Sequence, residues 1–223
     1  MNRLARRRSG SRFGSRGLER KRATREPLRR FLVVCEGAVT EKQYIEAVKT
    51  ELRYSPIEVE VRAGDPNTAR EMATFAAQKK RSAADEAIRL RDASIAYDEV
   101  WCAFDGGEHP HEDEALIIAR DNGIHLAISS PSVELWVLTH LVKQNASLTA
   151  KQALSLCHKH KLMSDKHIIK PIELYKKKYN AAHSHCDSLR VTNARNGTPR
   201  ANPSSDFDLL VESIWAAKKQ AAI

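Results

Sequence analysis

The sequence predicts an α/β protein: a mostly parallel sheet with flanking helices and a C-terminal helical appendage. Three observations predict it. Two short, continuous apolar runs, residues 31–35 (FLVVC) and 100–104 (VWCAF), each end in an acid and glycine, Glu36-Gly37 and Asp105-Gly106-Gly107. Strands buried on both faces read this way before a turn. Segments with apolar residues at helical spacing alternate with the runs, as parallel strands joined by crossover helices require. Strand-like patterning then stops after residue 145.

Taken in order, residues 31–35 are the first strand and Glu36-Gly37 the turn at its C-terminal end. Thr40 is placed to begin a helix, and Tyr44, Ile45, Val48 and Leu52 share one face of residues 41–52. Residues 57–61 (IEVEV) alternate with period two and form a second strand, closed by Gly64-Asp65-Pro66. Asn67 or Thr68 caps a long helix, rich in alanine and charge, that runs through Leu90. After the 100–104 strand, Pro110 favours a helix start near His111, with Glu112, Asp113 and Glu114 suited to the dipole of its first turn. Ala115, Leu116 and Ala119 form its inner face, and Asn122-Gly123 stop it. Residues 124–128 are a fourth strand, and Ser129-Ser130-Pro131 lead into a helix from Ser132 to about Val142. Beyond it, helices are expected over 148–160, 172–191 and 206–217, with an Asn-, Gly- and Pro-rich loop over 193–205. The expected division is a disordered basic tail (1–30), an α/β core (31–145) and a helical appendage packed on that core (146–223).

With 223 residues, the chain supports one substantial core or two small ones, which excludes a large multidomain machine. Four scattered cysteines and no apolar leader argue against a disulfide scaffold, so a reducing, cytoplasmic setting is expected. Charge interrupts every apolar run well before the ~18 residues of a membrane span. The net charge of +9 is unevenly placed: residues 1–30 carry +10 and the remainder −1. The basicity therefore belongs to a tail that cannot bury enough apolar surface to order itself. Its arginines, Arg6, Arg7, Arg8 and Arg12 among them, read either as an arm for phosphate backbones or as a solubilising or partner-docking extension.

In open sheets of this class the ligand crevice lies beyond the C-terminal strand ends, and both Glu36 and Asp105 fall there. With Glu108 and Glu134 they supply hard oxygen donors suited to Mg2+ or Mn2+. The same acids also suit ordinary turns. His109 could orient water, donate to a phosphate oxygen or act as a general acid.

Residues 31–44 (FLVVCEGAVTEKQY), 100–110 (VWCAFDGGEHP), 123–141 (GIHLAISSPSVELWVLTHL) and 201–204 (ANPS) resemble, in order, the motifs of the RloB-like proteins, which belong to the topoisomerase-primase (Toprim) class. The resemblance implies a Toprim-like fold in which Glu36 serves acid–base or metal chemistry. It also implies an Asp-x-Asp pair that binds Mg2+, followed by an acid and a histidine. Asp105 keeps the first aspartate position and Glu108 and His109 the trailing ones, but Gly107 stands at the second aspartate. Glu134, in a recurring Glu-Leu-Trp element, is carried over as a further metal residue. By the same resemblance the expected function is a Mg2+-dependent nuclease acting on nucleic acid in prokaryotic defence against phage, paired with an ATPase. The sequence contains no G-x-x-x-x-G-K-[ST] loop, so ATP use would belong to that partner.

Gly107 also motivates a rival reading, a noncatalytic nucleic-acid-binding or assembly subunit of an ATPase-containing complex. A third possibility is structural zinc held by Cys157, His160, His183 and Cys186, two i,i+3 pairs. In the C-terminal region, Arg195 and Arg200 are the candidates for phosphate contact, ahead of Arg190 and the 176–178 lysine run.

Overall fold

A computed structural model describes residues 29–52, 57–63, 68–107 and 111–220. The apolar runs become strands β1 (Arg29–Cys35) and β3 (Glu99–Asp105), which pair in parallel with Val33 opposite Trp101 and Cys35 opposite Ala103. Strand β2 (Ile57–Ala63) lies parallel on the other side of β1, and β4 (His125–Ser130) lies parallel to β3 with Asp105 opposite Ser129. A fifth strand, β7 (Ser204–Ser205), closes the order β2-β1-β3-β4-β7 and runs antiparallel to β4.

Alternate residues of each central strand enter different cores. Leu32, Val34, Val100, Cys102 and Phe104 pack beneath α2 (Ala69–Leu90) and α3 (Glu112–Asn122). Phe31, Val33, Cys35, Trp101 and Ala103 face the opposite cluster, which includes residues of α1 (Thr40–Leu52), α4 (Val133–Thr139), α5 (Ala150–Lys159), α6 (Pro171–Arg195) and α7 (Phe207–Gln220). Burial on both faces explains why these strands are continuous in apolar residues rather than alternating. Thr68 caps α2 through a capping box with Glu71, and Thr149 caps α5 through one with Gln152.

Three features depart from the expected elements. Strand β1 begins at Arg29, because Arg29 and Arg30 continue the register with β2 and meet the acids leading into β3. The Arg30 amide donates to Asp98 Oδ2 at 2.7 Å, and Arg29 pairs with Glu99 at 3.5 Å. The loop expected over 193–205 instead holds the end of α6 and, in Ser204–Ser205, strand β7, where Ser129 and Ser205 hydroxyls meet at 2.8 Å. Finally, β5 (Met163–Ser164) and β6 (His167–Ile168) form a small antiparallel hairpin between α5 and α6. Strands of two residues are too short to show a period in sequence.

Candidate functional site

The acids at the ends of β1 and β3 are locked to one another. Glu36 N–H donates to the Ala103 carbonyl at 2.9 Å, and the Asp105 amide donates to Glu36 Oε2 at 3.0 Å. Asp105 Oδ1 in turn accepts from the Val133 amide at the start of α4 at 2.9 Å, and Ser132 Oγ donates to Glu134 Oε2 at 2.6 Å. A fourth carboxylate, Glu41 in the first turn of α1, is only 4% exposed. It reaches back so that Glu41 Oε1 accepts from the Gly37 amide at 3.0 Å. Glycine leaves room for it in this position, since a Cβ at position 37 would lie 2.1 Å from Glu41 Oε2 and the carboxylate would have to move.

Glu36, Glu41, Asp105 and Glu134 line one cavity of about 420 Å3, together with Thr40, Val133 and Lys166. The electrostatics are those of negative charge crowded into a partly dry space. Burial, then the Glu41 and Glu134 charges, push the Asp105 carboxyl up to about 8, against the Val133 hydrogen bond and with a further push from Glu36. Burial also raises Glu41; its own amide and that of Gly37 oppose the shift, while Glu134 and Glu36 add to it. The structure therefore brings together Glu36, Asp105 and Glu134 and adds Glu41, which the sequence shows only as a helix-start acid four residues after a glycine. Glu108 and His109 lie outside the described residues.

Beyond Asp105 the chain passes to a second, larger cavity of about 1100 Å3, lined by Gly106, Gly107, Ser130, Thr149, Arg200 and Asn202 among others. Gly106 is pressed onto β4: a Cβ there would meet Ile128 Cγ2 and Ser130 Oγ at 2.6 Å, and its amide donates to the Ser129 carbonyl at 2.8 Å. Gly107 has φ +96°, a conformation only glycine adopts freely, and its amide faces Glu112 Oε2 at 3.4 Å. Arg200 reaches this cavity with a long ion pair to Asp206 at 4.0 Å, whereas Arg195 ends α6 in an exposed position and does not line it. Arg6, Arg7, Arg8 and Arg12 lie outside the described residues.

The zinc reading is corrected. Cys157 donates to the Glu134 carbonyl at 3.3 Å, Cys186 faces Thr139 Oγ1 at 4.0 Å, and His183 Nδ1 donates to Asp208 Oδ2 at 2.9 Å. Cys157 and Cys186 are buried in the core, His183 is turned to Asp208 and His160 is exposed, so the four do not form a metal-binding group. Arg190 likewise points to a buried carboxylate, with its two terminal nitrogens 2.6 and 2.7 Å from the oxygens of Asp208. Among the described residues no group of three or more His, Cys, Asp and Glu side chains stands ready-arranged around a metal position. In the carboxylate cavity the acids are instead engaged on backbone amides and Ser132.

A mostly parallel sheet with helices on both faces and acids gathered at its C-terminal edge defines an α/β protein consistent with a Toprim-like fold. Within that class, the model of the RloB-like protein family matches residues 31–214, and the chain belongs to that family. Membership places it, at family level, among nucleic-acid-associated defence proteins. No curated protein and no solved structure matches the chain. No helix of the described residues is long and apolar enough to cross a membrane.

Proposed function

We propose that the protein is a Toprim-like, divalent-metal-dependent nuclease that acts on nucleic acid in prokaryotic antiphage defence together with an ATPase partner. The observation that carries the reading is the convergence of Glu36, Glu41, Asp105 and Glu134 on one cavity at the C-terminal edge of the sheet. Their donor set fits Mg2+ or Mn2+, being oxygen-only and anionic. The upward shifts of Asp105 and Glu41, due first to burial and then to their acidic neighbours, are compatible with the same reading, because a divalent cation would favour the ionised form of both. When bound there, the ion would stabilise charge on a phosphoryl oxygen and orient a water.

The remaining work belongs to the chain. The Val133 amide fixes Asp105, the Asp105 amide fixes Glu36, and Gly37 leaves the space that Glu41 fills. Glu36 and Asp105 are assigned the catalytic roles, with Glu108 and His109 completing the set as the family pattern implies. Arg200, which lines the adjoining cavity, would meet a phosphate of a bound strand, and the basic residues of the N-terminal 30 would add sequence-independent affinity.

The test is cleavage of single-stranded and duplex DNA and RNA in Mg2+ or Mn2+. Wild type is expected to cut at least one substrate, and Glu36→Gln and Asp105→Asn to cut about 100-fold more slowly or worse. Full activity in either variant would sink the assignment. Gly107, at the family's second aspartate position and on the wall of the other cavity, favours one second reading, a noncatalytic binding subunit. Tight nucleic-acid binding with no cleavage in either metal would support it.

A further inference from the structure

The β5–β6 hairpin contributes nothing to the main sheet, yet it is pinned firmly at the site. Thr40 Oγ1 donates to the Lys166 carbonyl at 3.1 Å, and the Ile168 amide donates to Gln43 Oε1 at 2.8 Å. Both anchors lie on the first turns of α1, the segment that carries Glu41. From the other side His158 Nε2 donates to the Asp165 carbonyl at 2.9 Å, and Asp165 turns the tip with a φ of 53°. The anchors are made by main-chain atoms of the hairpin, so they fix where Lys166 stands without engaging its ammonium. Lys166 is thereby held on the wall of the carboxylate cavity and is the one basic residue among its described lining.

We propose that Lys166 is a phosphate-binding residue of this site: its ammonium contacts a non-bridging oxygen of the nucleic-acid phosphate that enters the carboxylate cavity. The inference rests on the metal-dependent reading given above and deepens it. The argument is one of charge. The cavity's acids oppose a phosphodiester to the extent that they are ionised, and a divalent ion that ionises them spends its charge on its own ligands. A cation outside that ligand set eases the approach of the anion. Lysine suits the task as a compact point charge on a flexible stem, and an exposed hairpin tip leaves that stem free to follow the substrate.

The experiment uses the full chain and two probes measured separately: Mg2+ alone by calorimetry, and 5′-fluorescein-labelled single-stranded 12-mers of DNA and RNA by anisotropy in Ca2+, over a range of salt. Lys166→Gln is expected to bind the better 12-mer about tenfold more weakly, with a salt dependence shallower by about one counterion. Its Mg2+ affinity should be unchanged or tighter, since a neighbouring positive charge has gone. Lys166→Arg should keep most of the 12-mer affinity. If Lys166→Gln binds as wild type does with the same salt slope, or if wild type binds Mg2+ but neither 12-mer, the lysine assignment is wrong and the metal reading survives. If Lys166→Gln loses Mg2+ affinity, the side chain supports the site's structure instead, and the assignment also fails. If wild type itself takes up no Mg2+, the metal reading falls and takes the lysine assignment with it.

Discussion

Two regions of this molecule bury acids, and they treat the charge in opposite ways. Asp208, 0% exposed, is held by both terminal nitrogens of Arg190 at 2.6 and 2.7 Å and by His183 Nδ1 at 2.9 Å. Burial works against the Arg190 cation, yet the hydrogen bonds and charges of Asp208, with Asp206, raise its pKa. Among the described residues Asp105 has no such basic partner; its neighbours are Glu36, Glu41 and Glu134, and its carboxyl is pushed up to about 8 by burial first and by those acids after it. A buried charge supplied with its own counter-ion is architecture. A cluster of like acids at a strand edge has no such counter-ion built in, and that is the feature on which the proposed metal-dependent reading rests.

The sharpest way to break this contrast is to remove one partner from each region. Arg190→Ala strands the Asp208 carboxylate in the core and should lower stability by about 3–5 kcal/mol. Asp105→Asn replaces a carboxyl already held largely protonated at neutral pH by a neutral group that keeps an acceptor for the Val133 amide, and should leave stability within about 1 kcal/mol of wild type or raise it. Urea unfolding of the two variants decides the matter: equal losses would mean that Asp105 is as structural as Asp208.

A third buried group calibrates the pair, because it is held by neutral partners. His140 is 1% exposed; its Nδ1 donates to the Trp136 carbonyl at 2.9 Å, so Nε2 accepts from the Tyr44 hydroxyl at 2.8 Å. Burial lowers its pKa to about 4, the two backbone hydrogen bonds opposing. The unfolded chain protonates near 6.5 and the folded one does not until about 4, so stability is complete above pH 6.5 and lost as pH falls between those values. The expected loss is about 3 kcal/mol. Denaturant titrations from pH 7 to 4 on wild type and His140→Gln check it: the variant should lack one proton's worth of slope, and parallel curves would refute the assignment.

How much of this was legible in sequence follows from which interactions are local. The 31–37 and 100–107 segments announced themselves because a parallel strand buried on both faces is a continuous apolar run, and a turn with an acid and glycine marks its end. Those two runs also placed Glu36 and Asp105 on one edge, and the parallel register of β1 on β3, with Cys35 opposite Ala103, bears this out. Glu41 was hidden because its position depends on α1 turning back over Gly37, which no periodicity reports. Lys166 and Ser204–Ser205 were hidden because two-residue strands have no period, and the contacts that place them, Thr40 to Lys166 and β4 to β7, are made across long stretches of chain. The zinc pattern failed for the converse reason: i,i+3 spacing is local and says nothing about whether two helices aim their pairs at one point.

A smaller effect sharpens the carboxylate half of the comparison. If the cavity is kept for a cation, Mg2+ at about tenfold over its dissociation constant should stabilise wild type by about 1.4 kcal/mol, seen as a rise in melting temperature. Arg190→Lys, in the self-balanced region, should keep the rise even if its baseline falls. Gly37→Ala should lose most of it, because the added Cβ would lie 2.1 Å from Glu41 Oε2 and must displace that carboxylate. A full Mg2+ response in Gly37→Ala would remove Glu41 from the ligand set and leave Glu36, Asp105 and Glu134.

The smallest expected effect concerns Gly107, where the family's second aspartate would stand. Nothing lies within 4 Å of a Cβ built there, so Gly107→Asp meets no clash, and its cost is the φ of +96° alone, about 1 kcal/mol. The more telling number is its Mg2+ affinity. Gly107 lines the larger cavity with Arg200 and Asn202, while the four carboxylates line the other, and Asp105-Gly106 stands between them. An aspartate at 107 should therefore leave Mg2+ affinity within about twofold of wild type. A tenfold gain would show instead that the two cavities share one metal position. Glycine at 107 would then be a ligand given up, and the site on the β1–β3 edge would be larger than the four acids that now define it.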